Sequence, residues 1–445
     1  MNNNFGNNKL NFLIKKRDGI RYSKISNDNN KIHINEKCGY NSIFGECIVH
    51  GTHLILKFLK KIKFELNGTF LLNIDFINPF YYEKKIFIKI KKNNFSTKYF
   101  LFQNNRISAK IVKTKNYKVN FNNQISNLDN ILTFRVRKIK KENQLDLVLH
   151  TLSKYVGKIF PAENSLISNI KIHHYKRMHN KILNKFEIKS KILKKGYPII
   201  LNSLNFNNYY VEFETLIRPN IKYENNTTKI SKILQNHISK IKENILIIGA
   251  SQGIGREVYN IVKSNKKIKK IISYNKNIIN YKLGKNTSII KINIKKDLNK
   301  ITRIIKRFEP IRVYYFPSTK IYFDNNLTQE EKKNYQFFFA EIPMEILKRS
   351  QEKKIFIFYP STTNIDLNNR SYYSKIKLCA EKEISKFCKK NNLYCSIHRF
   401  PAIYSRQSVS MLNPKPQSLV DYIGSDFKKI NAIFPLNFGN KLKLA

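Results

Sequence analysis

Residues 244–256 read NILIIGASQGIGR, and this stretch decides the fold of the C-terminal half of the chain. An apolar segment, 244–248, runs into a turn that contains Gly249, Gly253 and Gly255, and the helical segment REVYNIVKSN follows directly. Glycine lets a backbone turn tightly and approach a ligand, and a helix N-terminus offers unpaired N–H groups and a partial positive charge. The stretch therefore predicts a phosphate-binding turn between a strand and a helix.

The pattern that begins at this turn continues toward the end of the chain. Short apolar segments alternate with polar helical ones, and the strand-like segments are ILIIGA, IKKIISYN, SIIKINI, RVYYFP, KIFIFYP and YCSIHRFP. Strands that alternate with helices form a parallel sheet with helices on both faces. Residues 244–445 are therefore predicted to form an α/β domain with a doubly wound parallel sheet.

Three polar residues after the fifth apolar segment point to carbonyl chemistry. Ser361 ends a strand-like segment, and the helical segment SYYSKIKLCAEKEI carries Tyr373 and Lys377 on one helix face. A lysine ammonium lowers the pKa of a neighbouring phenol, which can then exchange a proton with a carbonyl oxygen that the serine holds. In a Lys-rich chain a surface tyrosine and a surface lysine also produce this spacing. The order of glycine turn, serine and tyrosine–lysine pair favours the catalytic interpretation.

With these features in this order, residues 244–405 resemble the short-chain dehydrogenase/reductase family. The resemblance implies a Rossmann fold, a nicotinamide cofactor, and Ser361, Tyr373 and Lys377 as catalytic residues. It implies cofactor contacts at Gly249, Ser251, Gln252, Gly253, Ile254, Gly255, Asn275, Lys276, Asn293 and Pro401.

The second strand of this region bears on the choice of cofactor. It ends in Tyr274-Asn275-Lys276, with no acidic residue to accept the ribose hydroxyls, and Lys276 is suited to a 2′-phosphate. NADP is therefore favoured over NAD. Asn293 stands where the family commonly has an adenine-binding Asp, and Pro401 stands where it often has a Pro-Gly turn beside the nicotinamide.

The N-terminal region has a motif of its own at residues 22–51, YSKISNDNNKIHINEKCGYNSIFGECIVHG. Asp28 and His33, five residues apart across a loop, can converge on one water molecule and deprotonate it. His50-Gly51 precedes an apolar helix, whose N-terminal N–H groups can stabilise a developing oxyanion. A polar loop with a structural histidine is the alternative for any one of these residues. The whole string favours hydration of an unsaturated thioester.

This string resembles the motif of MaoC-like, R-specific enoyl-CoA hydratases. The resemblance implies a hot-dog fold, an acyl-thioester substrate, Asp28 and His33 as the catalytic pair, and oxyanion or substrate contacts at Gly51, His50 and Asn30. Lys31 replaces the proline of the family motif, which loosens a turn that proline would pre-set.

The order of helix and strands in residues 1–120 recurs in residues 121–225. LDLVLHTLSKYVGKIF is predicted as the second helix, but no Asp/His pair stands at matching positions. We expect a double hot-dog α+β region whose second half is a non-catalytic partner. Residues 226–243 are predicted to form a helical linker to the Rossmann domain.

The net charge of +53 admits several interpretations. Lysine accompanies many Asn and Ile residues, without Trp and with little Gly, which is typical of AT-rich codons. The lysines are also spread along the chain, so a specific nucleic-acid partner is not expected. A basic surface would steer the anionic carriers of acyl groups, CoA or acyl-carrier protein.

Compartment and metal content are predicted from the cysteines and the hydropathy. The five cysteines are scattered and form no CxxC pair, which favours a reducing compartment without disulfides or a metal site. No apolar run is long enough to cross a membrane, and the N-terminus is unlike a secretory signal. A cytoplasmic protein without membrane insertion is expected, with a homodimer as a further expectation.

The two regions share one intermediate, because a 3-hydroxyacyl thioester is the product of 3-oxoacyl reduction and the substrate of dehydration. The sequence therefore predicts a bifunctional enzyme with reductase and hydratase activities. Three alternatives stay open. They are a dehydrogenase of another carbonyl, such as a nucleotide-linked sugar, with a non-catalytic thioester-binding hot-dog region; a bifunctional chain with one inactive site; and a basic nucleic-acid-binding protein on an inactive scaffold.

Overall fold

The structure, a computed structural model, describes residues 10–40, 42–65, 68–115, 130–135, 143–161, 165–175, 185–192, 199–217, 230–275, 282–322, 327–366, 371–405, 407–409 and 415–436. The chain divides into two compact units, and the division falls between Ile221 and Lys222. The predicted block boundaries near residues 120 and 225 lie outside the described residues.

The first unit contains one large antiparallel sheet and helices that cover it. Its strands are β1 Asn11–Phe12, β2 Phe70–Phe76, β3 Ile86–Lys92, β4 Ser96–Gln103, β5 Arg106–Lys115, β6 Asn130–Arg135, β7 Ser165–His174, β8 Lys185–Ile192, β9 Ile199–Phe206 and β10 Tyr209–Ile217. Its helices are α1 Lys16–Ser26, α2 Lys31–Ile34, α3 Glu36–Tyr40, α4 Gly51–Lys61 and α5 Gln144–Lys154, which continues as a π-helical turn, Tyr155–Ile159.

The strand order β1-β3-β4-β5-β2-β7-β10-β9-β8-β6 is mirrored about the junction of β2 and β7. At that junction Ile74 pairs with Ile170 in antiparallel register, so the two halves share one continuous sheet. The mirrored order accounts for the repeat in the sequence.

The core of this unit lies between the sheet and helices α4 and α5. Alternate residues of β2 are buried, as expected for a strand with one face against a core. Residues of both helices and of the central strands form one apolar cluster, which includes Leu54, Phe58, Leu72, Ile74, Val148, Leu152, Ile170 and Phe213. Burial of each such side chain contributes roughly 1.5–3 kcal/mol.

Most elements of the first unit agree with the sequence pattern, including both long helices and strands β2, β3, β4, β7, β8 and β10. The sequence pattern indicates neither β5 nor β9. Lysines and other polar residues in β5, and asparagines and serine in β9, interrupt the run of apolar residues that would mark a strand.

The second unit alternates strands and helices. Its strands are β11 Asn244–Ile248, β12 Lys270–Tyr274, β13 Thr287–Lys291, β14 Ile311–Tyr315, β15 Ile355–Thr362 and β16 Tyr394–Phe400. Its helices are α6 Lys232–Ser239, α7 Gly253–Val262, α8 Leu298–Arg307, α9 Gln329–Gln336, α10 Ile342–Lys348, α11 Tyr372–Lys390, α12 Leu419–Ile423 and α13 Phe427–Ile433.

The six strands are parallel and lie in the order β13-β12-β11-β14-β15-β16. Numbered within the domain, this order is 3-2-1-4-5-6, that of a doubly wound Rossmann sheet. All six predicted strands and the α/β fold of the C-terminal region are confirmed. Separate apolar clusters on the two faces of the sheet account for the continuous apolar runs in its strands.

Within the predicted linker, residues 226–243, the structure describes helix α6, which packs on the second unit. Leu234, Ile238 and Ile241 are buried and pack into the same cluster as β11 and α7. A helix with an apolar face of this kind is stabilised by packing. None of the helices in the described ranges combines the length and apolar character needed to span a bilayer.

Candidate functional site

Three side chains converge in the first unit, in the region of the predicted hydratase motif. Asp28 lies in the loop between α1 and α2, His33 lies in α2, and His50 caps the N-terminus of α4. Their carboxylate and imidazole atoms lie within 4.8 Å of one another. All three are buried, with exposed fractions of 4%, 7% and 1%. The structure therefore brings together the predicted pair, Asp28 and His33, and adds His50 to it.

Hydrogen bonding sets the tautomer of His33. Its Nδ1 lies 2.8 Å from the carbonyl oxygen of Ile48, and a carbonyl can only accept, so Nδ1 donates. In the neutral ring the lone pair is then on Nε2, the atom that can accept a proton. The His33 and His50 rings stack with centroids 3.9 Å apart.

His50 is held neutral by its surroundings. Burial, followed by the nearby His33, lowers its pKa well below the usual value. Its Nε2 is buried, lies 3.9 Å from Asp28 Oδ2, and has no hydrogen-bond partner among the described residues. A neutral imidazole next to a carboxylate adds a polar group to the site without adding charge.

The second half of the unit supplies contacts that the sequence does not predict. Ser153 Oγ donates a hydrogen bond of 2.7 Å to Asp28 Oδ2. Gly157, in the π-helical turn, lies so close that an added Cβ would be 1.9 Å from Asp28 Oδ1. Asn30 Nδ2 donates to the Ser165 carbonyl at 3.4 Å. The glycine in YVGKIF is the one sequence signal that could have indicated this approach.

A cavity of about 280 Å³ opens onto the three polar side chains. Its walls are mostly apolar and come from both halves, and they include Ile43, Phe44, Ile48, Phe76, Ile77, Pro79, Phe80, Val156, Leu166, Ile167 and Leu216. Such a space suits an extended apolar group whose reactive end meets the polar cluster.

The residues at the predicted oxyanion site have two different roles, as backbone donors at the start of α4 and as a side-chain cap of α2. Gly51 and Thr52 line the cavity at the start of α4, where the first helical N–H groups have no partner in the preceding turn. Asn30 lines the cavity as well, but its side chain caps α2 by accepting from Ile32 N. Asn30 therefore holds the loop of Asp28 in shape, in addition to any contact with substrate.

Two histidines and one carboxylate are also a ligand set for a transition metal. The planes of the two imidazoles are only 25° apart, and the rings stack face to face. One ligand atom from each of the three residues lies within 4.8 Å of the others, so the described residues allow either acid–base chemistry or a bound metal ion at this place.

In the second unit a glycine-containing turn joins β11 to α7, at the place where the sequence predicts phosphate binding. Gly249 and Gly253 have positive φ angles of 85° and 60°, which favour glycine. A Cβ on Gly255 would lie 2.4 Å from the Gly249 carbonyl oxygen. Gln252 caps α7 without a side-chain hydrogen bond, so the first N–H groups of this helix remain for a ligand.

Ser361 and Lys377 are close to the same peptide at the end of β15. Lys377 Nζ donates to the Pro360 carbonyl at 2.6 Å, and Ser361 is the next residue. The Ser361 hydroxyl is buried and, in the described part of the chain, has no hydrogen-bond partner. The Tyr373 ring centroid lies 6.0 Å from Lys377 Nζ. The three predicted residues therefore share one region of the unit.

The expected effect of the lysine on the phenol is wrong for this structure. The pKa of Tyr373 is raised, chiefly by burial and then by Tyr335, and Phe339 packs against its ring at 5.2 Å. Burial also lowers the pKa of Lys377 to about 7, against the influence of Glu381. Desolvation outweighs the attraction between ammonium and phenolate at this distance.

The remaining predicted cofactor residues lie near the carboxyl ends of the strands. Asn275 follows β12, Asn293 follows β13 and Pro401 follows β16. The Asn293 side chain accepts from Lys295 N at 3.2 Å, so its oxygen is used in a local turn. Ser251 and Gln252 lie in the glycine turn, Ile254 lies in the first turn of α7, and Lys276 lies outside the described residues.

Comparison with known proteins gives no family. No family model matches the chain, and no curated protein matches it. Solved structures that are similar include an epimerase from Methanothermobacter thermautotrophicus, at 17% identity and a TM-score of 0.32, over 39% of this chain and 55% of that one. The chain thus spans little more than half of the epimerase's length.

Two further structures are similar to parts of the chain. A short-chain dehydrogenase from Sphingobium yanoikuyae, in complex with NADPH, has 12% identity and a TM-score of 0.35, over 42% of this chain and 83% of that one. The tesB protein of Mycobacterium avium subs paratuberculosis has 9% identity and a TM-score of 0.27, over 39% and 88%. At such TM-scores these likenesses decide nothing, and the function rests on the geometry.

Proposed function

We propose that the chain is a bifunctional acyl-thioester enzyme, an R-specific enoyl-thioester hydratase joined to an NAD(P)-dependent 3-oxoacyl reductase. The observation that carries the hydratase proposal is the meeting of Asp28 and His33 at the end of an apolar cavity, beside the N-terminus of α4. This arrangement combines a base, a water-holding carboxylate and oxyanion donors with space for an acyl chain.

Hydration adds H and OH across the C2=C3 bond of a 2-enoyl thioester. In the proposed step a water held by Asp28 gives a proton to His33 Nε2 as its oxygen bonds to C3. The π electrons move to the thioester oxygen, which the N–H groups at Gly51 and Thr52 stabilise as an enolate. The enolate then collapses as C2 takes up a proton from the Asp28–His33 pair.

The arrangement of the first unit supports the double hot-dog assignment. Helices α4 and α5 share one core with a single antiparallel sheet whose two halves are mirrored about β2 and β7. The site draws Asp28 and His33 from one half and Ser153 and Gly157 from the other. A fold in which two halves build one site is consistent with such a pair.

The glycine turn of the second unit fits a nicotinamide dinucleotide. A Cβ would fill the space at Gly255, and the uncapped start of α7 is suited to phosphates. Gly249, Gly253 and Gly255 would hold the pyrophosphate, and the bound cofactor would supply hydride exchange. No acidic residue follows β12, which keeps NADP favoured over NAD.

The residues of this unit would transfer the proton that accompanies hydride transfer. Ser361 is suited to hold the carbonyl oxygen of the substrate, because its hydroxyl is buried and has no hydrogen-bond partner among the residues described. Tyr373, kept neutral by its raised pKa, would donate the proton to that oxygen in reduction. Lys377 would anchor the end of β15 through the Pro360 carbonyl.

The proposal is tested with the purified full chain, a short 2-enoyl-CoA and NADP, by following the absorbance of reduced nicotinamide. Signal requires hydration at Asp28 and His33 followed by oxidation at Tyr373, so it supports both sites together. The assay is repeated with NAD and with 3-hydroxyacyl-CoA. Signal from the hydroxyacyl substrate alone refutes the hydratase proposal, and silence with every substrate refutes the thioester reductase.

A further inference from the structure

The outer face of β3, β4 and β5 is basic and aromatic. The side chains of this face point away from helices α4 and α5. In the register of β3 and β4, Phe87 pairs with Phe102, Lys89 with Phe100, and Lys91 with Lys98. Lys110 pairs with Phe100 from the other side. We call these residues the basic face; they are Phe87, Lys89, Lys91, Lys98, Phe100, Phe102 and Lys110.

No acidic residue balances this face from within its own strands. From Ile86 to Lys115 the sequence has seven lysines, one arginine and no Asp or Glu. Lys91 and Lys98 are exposed and directly opposite one another, a like-charged arrangement that costs stability in a sheet. Bound negative charge would relieve that repulsion.

The outer face of the second half is different. There Lys171 pairs with Glu212 at 3.6 Å, and Lys189 pairs with Glu187 at 3.1 Å. In the basic face Lys110 pairs with Asp75 of β2, whereas Lys91 and Lys98 pair with each other and have no carboxylate opposite them in the strand register. Composition by itself therefore does not account for the basic face.

The basic face adjoins the rim of the cavity. Asn78 lines the cavity, and its Nδ2 donates to the Ile107 carbonyl at 2.9 Å. Ile107 pairs with Phe102, which pairs with Phe87, so an apolar row leads from the rim into the basic face. Ile77, beside Asn78, lines the cavity with 56% of its surface exposed. From Phe102 to Lys98 the strand spans about 14 Å.

We propose that the basic face docks an acidic acyl-carrier protein, which delivers its thioester to the adjacent cavity. This inference rests on the proposed hydratase function and names the carrier that it uses. The lysines complement the acidic surface of the carrier, and the apolar row lies between the docking site and the rim. Single-stranded nucleic acid also binds basic, aromatic sheets, but the continuity with the cavity favours a partner that carries substrate.

The test compares two substrates and two charge-reversed variants of the full chain. Lys91→Glu/Lys98→Glu reverses the opposed pair and preserves a like-charged contact, so the stability of the sheet changes little. Lys266→Glu/Lys267→Glu makes the same charge change at exposed positions of the second unit. Hydration is measured with a crotonyl-loaded acidic carrier protein and with the uncharged crotonyl N-acetylcysteamine thioester.

We expect kcat/KM for the carrier-bound substrate to fall about tenfold or more in Lys91→Glu/Lys98→Glu, roughly 1.4 kcal/mol. Turnover of the N-acetylcysteamine thioester should stay within about twofold of wild type, and the control variant should match wild type on both. Binding of the carrier should weaken in parallel and should depend on salt. Equal loss on both substrates, or no loss on either, overturns the proposal.

Binding of the carrier is also measured with Asp28→Asn, which separates the two proposals. Loss of carrier binding in Lys91→Glu/Lys98→Glu supports docking even if no thioester is hydrated. Absence of hydration counts against the hydratase proposal alone. Hydration without carrier binding overturns docking alone. Binding of a short oligothymidylate is measured as well. If it binds more tightly than the carrier, and Lys91→Glu/Lys98→Glu weakens that binding, the basic face is a nucleic-acid site and the proposal of carrier docking is wrong.

Discussion

Ser153 Oγ donates a hydrogen bond of 2.7 Å to Asp28 Oδ2 across 125 residues of sequence. Both residues are buried, and Ser153 belongs to the half that has no Asp/His pair at positions matching Asp28 and His33. The hydrogen bond fixes which carboxylate oxygen faces the rest of the site. A residue of the second half therefore orients the carboxylate of Asp28 in the first half.

Replacing Ser153 by Ala should lower the kcat of hydration about 10- to 100-fold with KM within about twofold. A hydrogen bond to a charged group contributes roughly 1.5–3 kcal/mol, and here it acts on orientation rather than on substrate binding. Steady-state kinetics on crotonyl-CoA provide the measurement. In a double-mutant cycle with Asp28→Asn the two losses should not add, whereas additive losses would assign Ser153 a separate role.

Gly157→Ala should reduce hydration more than 100-fold, because the new Cβ would lie 1.9 Å from Asp28 Oδ1 and displace the carboxylate. Gly68→Ala is the matched control. Gly68 has a φ of +76° but nothing within 4 Å of an added Cβ, so this change strains the backbone and leaves the site intact. Activity assays of both variants at equal folded fraction decide the matter, and full activity of Gly157→Ala contradicts the prediction.

Tyr373→Phe should abolish oxidation of 3-hydroxyacyl-CoA and leave hydration of crotonyl-CoA unchanged. Asp28→Asn should show the reverse. Loss of a general acid or base costs typically 10²- to 10⁴-fold. The two reactions are assayed separately on each variant. If either substitution silences both reactions, the assignment of one reaction to each unit is wrong.

Acid should destabilise the first unit through its buried histidines. Burial lowers the pKa of His53 to about 4, whereas an unfolded histidine titrates near 6.5. Between these values the unfolded chain binds a proton that the folded chain does not, so the free energy of unfolding falls as pH decreases from about 6.5 to about 4. Between pH 6.5 and pH 4, His53→Gln should reduce the pH dependence of the free energy of unfolding by up to about 1.4 kcal/mol per pH unit. Denaturant titrations at pH 7, 6 and 5 measure both slopes, and identical slopes count against this origin.

Treatment with a strong chelator should leave hydration unchanged. The proposed hydration uses Asp28 and His33 as the acid–base pair and involves no metal ion. The measurement is the hydration rate before and after dialysis against the chelator, with metal content followed in parallel. A loss of activity that zinc restores would reassign Asp28, His33 and His50 as ligands.

The sequence predicts the second unit well because its fold depends on local patterns. Six apolar segments form the six strands, Gly249 lies in the turn after β11, and Gly253 and Gly255 lie in the first turn of α7. Each of these features is decided within about a dozen residues. The packing of α6 could not be predicted, because its apolar face contacts residues such as Val258 and Ile433, which are distant in the chain.

Less of the first unit could be predicted from the sequence, because its site depends on contacts between distant residues. Asp28 and His33 were recognisable because both lie in one short motif. Ser153 and Gly157 were not, since their roles depend on where α5 meets the loop of Asp28. The pKa of Tyr373 was misjudged for a similar reason. Spacing on α11 predicts the lysine, but not the rings of Tyr335 and Phe339 that desolvate the phenol.

The continuity of the sheet at β2 and β7 has a consequence for how the two halves can diverge. In a dimer of identical subunits, each change is made twice, so a residue that serves one site also appears in the other. When the two halves are joined in one chain, a substitution in one half is not repeated in the other. One half keeps the reactive pair, and the other has Ser153 and Gly157 to support it. Covalent linkage thus fixes a ratio of one Asp28–His33 pair to one supporting half in the first unit.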